Sequence, residues 1–289
     1  MRFQSVAVAV FAAIILPSAT LLASDDAEDE GRLGWSITAD FSFILTAGNS
    51  ESTTLGFDGT TSHKSEKALV EVSFGALKVE TTSDLDVAIG TPDDFTIPEV
   101  TETTAETYFA GGEYNREISD RLFWYGAAGW LRNEPAGIRN RYVISGGVGN
   151  IWRDTERVSF RTGYGLSYTN EQDLVESPLV ASSFPGVRLS SNFTKAFGKN
   201  RAEYGNTFWF NYSLEDSENW RWNMEQWLSS SLTDRLSLKV TLTWLFNNAP
   251  AFREVGLLEG DPPEYQGNTV LVQLEKLDTI FSVSLVVDF

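Results

Sequence analysis

The sequence predicts an all-β protein: an exported, transmembrane antiparallel β-barrel of about twelve strands, with both termini periplasmic. Three observations predict it. The chain opens with a secretory leader, its apolar residues recur with a period of two from Trp35 onward, and its connections alternate between tight and long.

The leader comes first. Met1 and Arg2 give a positive start, Ser5 to Leu16 is an apolar run, Pro17 and Ser18 break it, and Leu21-Leu22-Ala23 precedes an acidic stretch. This is the pattern of a signal peptide, with cleavage expected after Ala23. The run is shorter than the roughly 20 apolar residues a spanning helix needs. The expected organisation is therefore a signal peptide over 1–23, a short acidic segment over 24–34 and a barrel over 35–289.

The strands follow in order. Trp35, Ile37, Ala39, Phe41, Phe43 and Leu45 alternate with Ser36, Thr38, Asp40 and Ser42. Val158, Phe160, Tyr164, Leu166 and Tyr168 alternate with Ser159, Arg161, Gly163 and Ser167. Leu236, Leu238, Val240, Leu242, Trp244 and Phe246 alternate with Ser237, Lys239, Thr241 and Thr243. At the C-terminus Thr279, Phe281, Val283, Leu285, Val287 and Phe289 share one face. Period two means successive side chains on opposite faces of a strand. Continued along the chain, it predicts segments at 35–46, 51–62, 68–80, 103–116, 122–132, 140–152, 158–169, 185–197, 202–213, 220–232, 236–246 and 278–289. The fourth and fifth are apolar on both faces, which leaves their facing open.

The connections after the second, fourth, sixth, eighth and tenth segments are tight, as in Asp154-Thr155-Glu156-Arg157 and Thr233-Asp234-Arg235. Those after the third, seventh and eleventh are long. Outer-membrane barrels have short periplasmic turns and long outer loops, and a soluble sandwich has no reason to segregate them. Aromatic residues fall at both ends of the segments. Tyr114, Trp124, Trp152, Tyr204 and Phe289 lie near one end, and Trp130, Tyr142, Tyr168, Tyr212, Trp220, Trp222 and Trp244 near the other. Amphipathic rings favour the two membrane interfaces.

Composition excludes several functions. The chain has 22 basic and 40 acidic residues and a net charge of −18, which makes it a poor partner for nucleic acid. It has no cysteine, hence no disulfide and no thiolate chemistry.

The chain resembles a known family. The opening strand with Thr46-Ala47-Gly48-Asn49-Ser50-Glu51, the run Asp120-Arg121-Leu122-Phe123-Trp124-Tyr125-Gly126, the stretch Arg139 to Asn150 with Gly146-Gly147-Val148-Gly149, and the closing Asp278 to Phe289 are similar to the YdiY-like, salt-induced outer-membrane proteins, domain of unknown function family 481. The resemblance spans nearly all of the mature chain. It implies a barrel fold and an outer-membrane location, but no reaction. The terminal Phe289 looks like the signal read by the β-barrel assembly machinery.

A search for chemistry yields little. His63 is the single histidine and falls in an expected tight turn beside Lys64. It cannot build a nucleophile–base–orienter constellation, so no enzyme and no cofactor are expected. Gly146-Gly147-Val148-Gly149 sits in a strand without a following helix, so it reads as glycines that let the barrel bend rather than as a phosphate cradle. The loop from Thr81 to Glu102 carries six acids and no base. It is read as a solvated acidic loop, with divalent-cation or lipopolysaccharide contact as the alternative.

The inward face is the most informative pattern. Asp40, Asp58 and Glu71 are expected to line one wall, and Arg141, Arg161 and Arg188 the opposite one, with Glu203, Arg221, Glu225 and Lys239 completing the lumen. Charges do not sit unpaired in a dry interior, so these groups either face water or pair across a plug. Small inward residues such as Gly163, Gly165, Ser190 and Ser284 favour water. The expected function is a small passive pore with a charged lumen. The alternative is a non-conducting structural or envelope-interaction barrel whose acidic loops meet ions or lipopolysaccharide. The long connection from Asn247 to Leu277 is the segment expected to fold in and narrow the path.

Overall fold

A computed structural model gives the fold. It describes residues 33–46, 50–84, 89–91, 94–96, 99–134, 136–176, 181–198, 201–233, 235–259 and 264–288. The signal peptide, nearly all of the acidic N-terminal segment, the Gly48-Asn49 turn and Phe289 lie outside the described residues.

Twelve strands form one closed antiparallel barrel. They are β1 (Gly34–Thr46), β2 (Ser50–Lys64), β3 (Ala68–Asp84), β6 (Glu99–Ser119), β7 (Leu122–Asn133), β8 (Ile138–Thr155), β9 (Val158–Asp173), β10 (Ser183–Phe197), β11 (Ala202–Ser213), β12 (Trp220–Thr233), β13 (Leu236–Asn247) and β16 (Leu277–Asp288). Around the wall the order is β1, β16, β13, β12, β11, β10, β9, β8, β7, β6, β3 and β2. Chain neighbours are thus wall neighbours, as simple hairpin connections require. The seam is β1 against β16. Among the described residues it holds four partner pairs, from Thr38 opposite Asp288 to Phe41 opposite Leu285.

Each expected segment overlaps one of these strands. Several strands run longer than expected, β6 and β8 at both ends and β9 at its end toward the long loops, so they project beyond the length a bilayer requires. Two connections expected to be loops contain small hairpins. β4 (Ile89–Thr91) pairs with β5 (Asp94–Thr96), and β14 (Phe252–Glu259) pairs with β15 (Glu264–Gln273). The acidic side chains of the 81–102 loop lie outside the described residues.

The alternation becomes an apolar outside. Trp35 is 74% exposed, Leu166 65% and Phe281 66%, and they are joined on the outer surface by Ile37, Phe41, Val72, Phe74, Ile144 and Val283. An isolated water-soluble domain does not present so continuous an apolar belt. The facing of β6 and β7 is also fixed. Phe109, Phe123, Tyr125 and Leu131 are buried inside, while Tyr108 and Trp124 point out. Aromatic pairs tie the outer surface at both ends. Tyr114 lies 5.1 Å from Trp124 toward the tight turns, and Trp220 stacks 4.8 Å from Phe246 toward the long loops. His63 corrects an expectation: it belongs to β2 rather than to the turn, with its ring 4.8 Å from that of Trp35 on the outer face.

Candidate functional site

The candidate site is the barrel interior, and it is built in three tiers. The tier nearest the long loops is a network of direct ion pairs. Glu171, on the extension of β9, accepts from Arg141 Nε at 2.5 Å and from Arg221 Nη1 at 2.8 Å. Arg221 comes from β12, so this contact spans β10 and β11 across the interior. The same guanidinium lies 5.5 Å from the Phe184 ring and donates to Asn219 Oδ1 at 3.1 Å. Arg221 is buried and Glu171 nearly so, and the bidentate Arg141–Glu171 pair supplies charge-assisted bonds that offset desolvation.

The connection from Asn247 to Leu277 closes over this tier. It leaves β13 and reaches the β7–β8 turn, almost diametrically opposite in the wall order. There Gly137 adopts φ +75°, and a side chain at that position would run into Ala251 and Leu274. Leu174 N donates to Gly137 O at 2.7 Å, and Leu274 N donates to Ala251 O at 3.0 Å. The strap therefore crosses the mouth: it packs against Gly137 on one side, and on the other Asn248 N donates to Trp220 O at 3.0 Å. Beneath its Ala249-Pro250 edge is a cavity of about 570 Å³ lined by Arg139, Glu171, Phe184 and Arg221.

The second tier lies around the seam. Lys239 Nζ reaches from β13 over β16 to Asp40 Oδ2 on β1 at 3.2 Å, and sits 5.6 Å from the Trp227 ring. Asp58 stands beside Asp40 across the β1–β2 ladder, and buried Glu225 is within Coulombic reach of the same ammonium. Glu203 lies on β11 opposite Ser229. One lysine thus serves several carboxylates.

The third tier is a cavity of about 100 Å³ toward the tight turns. Arg188, 5% exposed, holds its guanidinium 5.0 Å from the Trp209 ring and faces Glu113 and Tyr125. Glu71, 2% exposed, is the direct partner of Glu113 across the β3–β6 ladder. Asn115 Nδ2 donates to Glu113 at 2.7 Å. Arg161 closes the rim, paired to Asp154 at 2.6 Å and Glu117 at 3.6 Å.

Two expectations about this interior are corrected. The basic groups at Arg141 and Arg161 do not look across water at a separate acidic wall; each pairs with carboxylates of its own neighbourhood. Nor is the interior lined only by small groups. Phe109, Phe123, Tyr125, Trp209 and Trp227 all point inward. Glycines make room for them. Phe123 covers Gly149, Tyr125 covers Gly163 and Gly165, and Trp227 covers Gly205 so closely that a side chain on the glycine would collide with the ring. Gly149 of the glycine-rich run belongs to this smooth strip and serves ring packing, which strengthens sheets where glycine alone is weak, whereas Gly147 lies against the backbone of Tyr164 and Gly165. Glu171, Glu113 and the inward aromatics are the functional residues that sequence reasoning does not single out. The signal available for Glu171 is that it continues the inward parity of Ser167 and Thr169.

No curated protein matches the chain. Among solved structures it is similar to the translocator domain of the autotransporter NalP from Neisseria meningitidis, at 10% identity and a TM-score of 0.41, covering 90% of each chain. It is also similar to the NanC porin, at 10% identity and a TM-score of 0.41, covering 88% of this chain and 98% of that one. An anion-selective porin from Comamonas acidovorans gives 10% identity and a TM-score of 0.37, over 88% and 98%. A family profile described as "Protein of unknown function, DUF481" matches residues 39–289, so the chain belongs to that family.

Proposed function

We propose that the protein is an outer-membrane barrel that carries small polar solutes through a narrow, charged interior, without catalysing a reaction. One observation carries the reading: the wall is inverted relative to a soluble barrel, with large apolar side chains outside and charged, hydrogen-bonding groups inside. In lipid, a closed antiparallel barrel satisfies every backbone group, and the outward apolar face meets the acyl chains. The partners this reading requires are the surrounding lipid and lipopolysaccharide and the β-barrel assembly machinery.

A second reading is a non-conducting structural barrel. The strap over the mouth and the direct Arg141–Glu171–Arg221 network favour it. Planar-bilayer recording separates the two. The passage reading expects small discrete conductance steps from the purified protein, larger when residues 249–275 are replaced by a short turn. Silence from both forms would leave the structural reading. Location is tested separately by heat-modifiable folded protein in outer-membrane fractions, with mature mass corresponding to cleavage after Ala23.

A further inference from the structure

Charge accounting inside the barrel singles out one place. Arg141, Arg161, Arg221 and Lys239 each hold a carboxylate within ion-pair distance, whereas among the described residues Arg188 forms no ion pair. Across the third-tier cavity the converse holds. Glu71 and Glu113 are neighbours on adjacent strands, and no described cation lies within ion-pair distance of either. Two buried carboxylates side by side repel each other, and a buried cation without a counter-charge is costly. The polar atoms around them are also without protein partners. Glu71 Oε1, Tyr125 OH and Trp209 Nε1 are buried and make no hydrogen bond among the described residues. Buried polar groups are nearly always satisfied, so an unsatisfied set lining one cavity points to a molecule that enters it.

The set is polarised. Arg188, the Trp209 N–H and the Tyr125 O–H are donors grouped on β10, β11 and β7, suited to a carboxylate. Glu71 and Glu113 are acceptors on β3 and β6, suited to an ammonium. A cavity of about 100 Å³ holds on the order of three waters at their liquid volume, close to the size of a very small amino acid. We propose that this cavity is a binding site for a small zwitterion, with its carboxylate held by Arg188, Trp209 and Tyr125 and its ammonium between Glu71 and Glu113. The ligand supplies the direct ion-pair contact that each side lacks among the described residues. This deepens the passage reading by naming the class of solute that pauses in the interior.

Isothermal titration of the folded, detergent-solubilised full-length barrel tests it, with glycine as the probe and acetate and methylammonium as its two half-charged analogues. The expected result is saturable glycine binding, at least tenfold weaker binding of either analogue, and at least a tenfold loss for glycine in Arg188→Met and in Glu71→Gln. Each variant is first shown to be folded by its heat-modifiable migration. Glu156→Gln, on the exposed β8–β9 turn and outside the cavity lining, serves as a charge-neutralising control and retains binding. Three outcomes overturn the proposal: no saturable glycine binding to the wild type, acetate binding as tightly as glycine, or undiminished binding in folded Glu71→Gln. Because titration does not depend on conductance, binding by a silent barrel would sink the passage and keep the site. Conductance without binding would do the reverse.

Discussion

The two ends of the interior handle buried charge in opposite ways. Near the long loops Glu171 is gripped by two arginines, and the strap lies over them. Toward the tight turns Arg188 rests on a ring while Glu71 and Glu113 face it without a cation between them. The first arrangement spends its hydrogen-bonding capacity on the protein itself, and the second leaves it available. A charged residue inside a barrel is therefore not evidence of function by itself; whether the protein already satisfies it decides.

That contrast can be broken most forcefully at Glu171. Replacing Arg221 with Ala breaks one of the two ion pairs on Glu171 and leaves the carboxylate to Arg141 alone; breaking a buried pair costs up to about 3–5 kcal/mol. Arg188→Met removes a cation that no described carboxylate grips, and should cost well under half as much. Guanidinium unfolding followed by tryptophan fluorescence measures both, and equal losses would erase the distinction between the tiers.

The glycine strip offers a second, smaller effect. Gly205→Ala should destabilise by about 1–3 kcal/mol, as overpacking does, because the new side chain meets Trp227. In a Trp227→Ala background the same change should be close to neutral. A cost unaltered by that background would mean that the ring is not what the glycine accommodates.

The smallest effect is expected at the seam. Lys239 and Asp40 are partly accessible, with side chains 26% and 16% exposed, so their pairing is softened by water. A double-mutant cycle with Lys239→Met and Asp40→Asn should give a coupling of about 1 kcal/mol, falling as salt is raised. A coupling as large as the loss at Arg221 would place this pair in the locked class.

The strands are legible because period two is a direct image of a wall with lipid on one side and polar groups on the other. In β11 the expected and observed ends coincide at Ala202 and Ser213. The inward rings are not legible for the same reason. In Phe123-Trp124-Tyr125 and Phe208-Trp209-Phe210 both faces are aromatic, so alternation carries no sign. Strand parity sorts the charges to one face but does not say which of them meet. Arg221 and Glu171 are 50 residues apart and touch because tilt and closure bring β12 toward β9. Glu171 is also lost to length reasoning, since it lies beyond the span a bilayer demands. The hairpin β14–β15 is hidden because its partners are set by how the strap is fastened, not by a core face.

The seam between β1 and β16 has a mechanical consequence. Four described partner pairs join those strands, against eleven between β13 and β16 and thirteen between β1 and β2. A cylinder under lateral load yields where it is stitched most sparsely, and here that stitch joins the first strand of the wall to its last. The barrel is thus a ribbon whose two ends are buttoned by fewer described pairs than any other neighbouring strands of the wall.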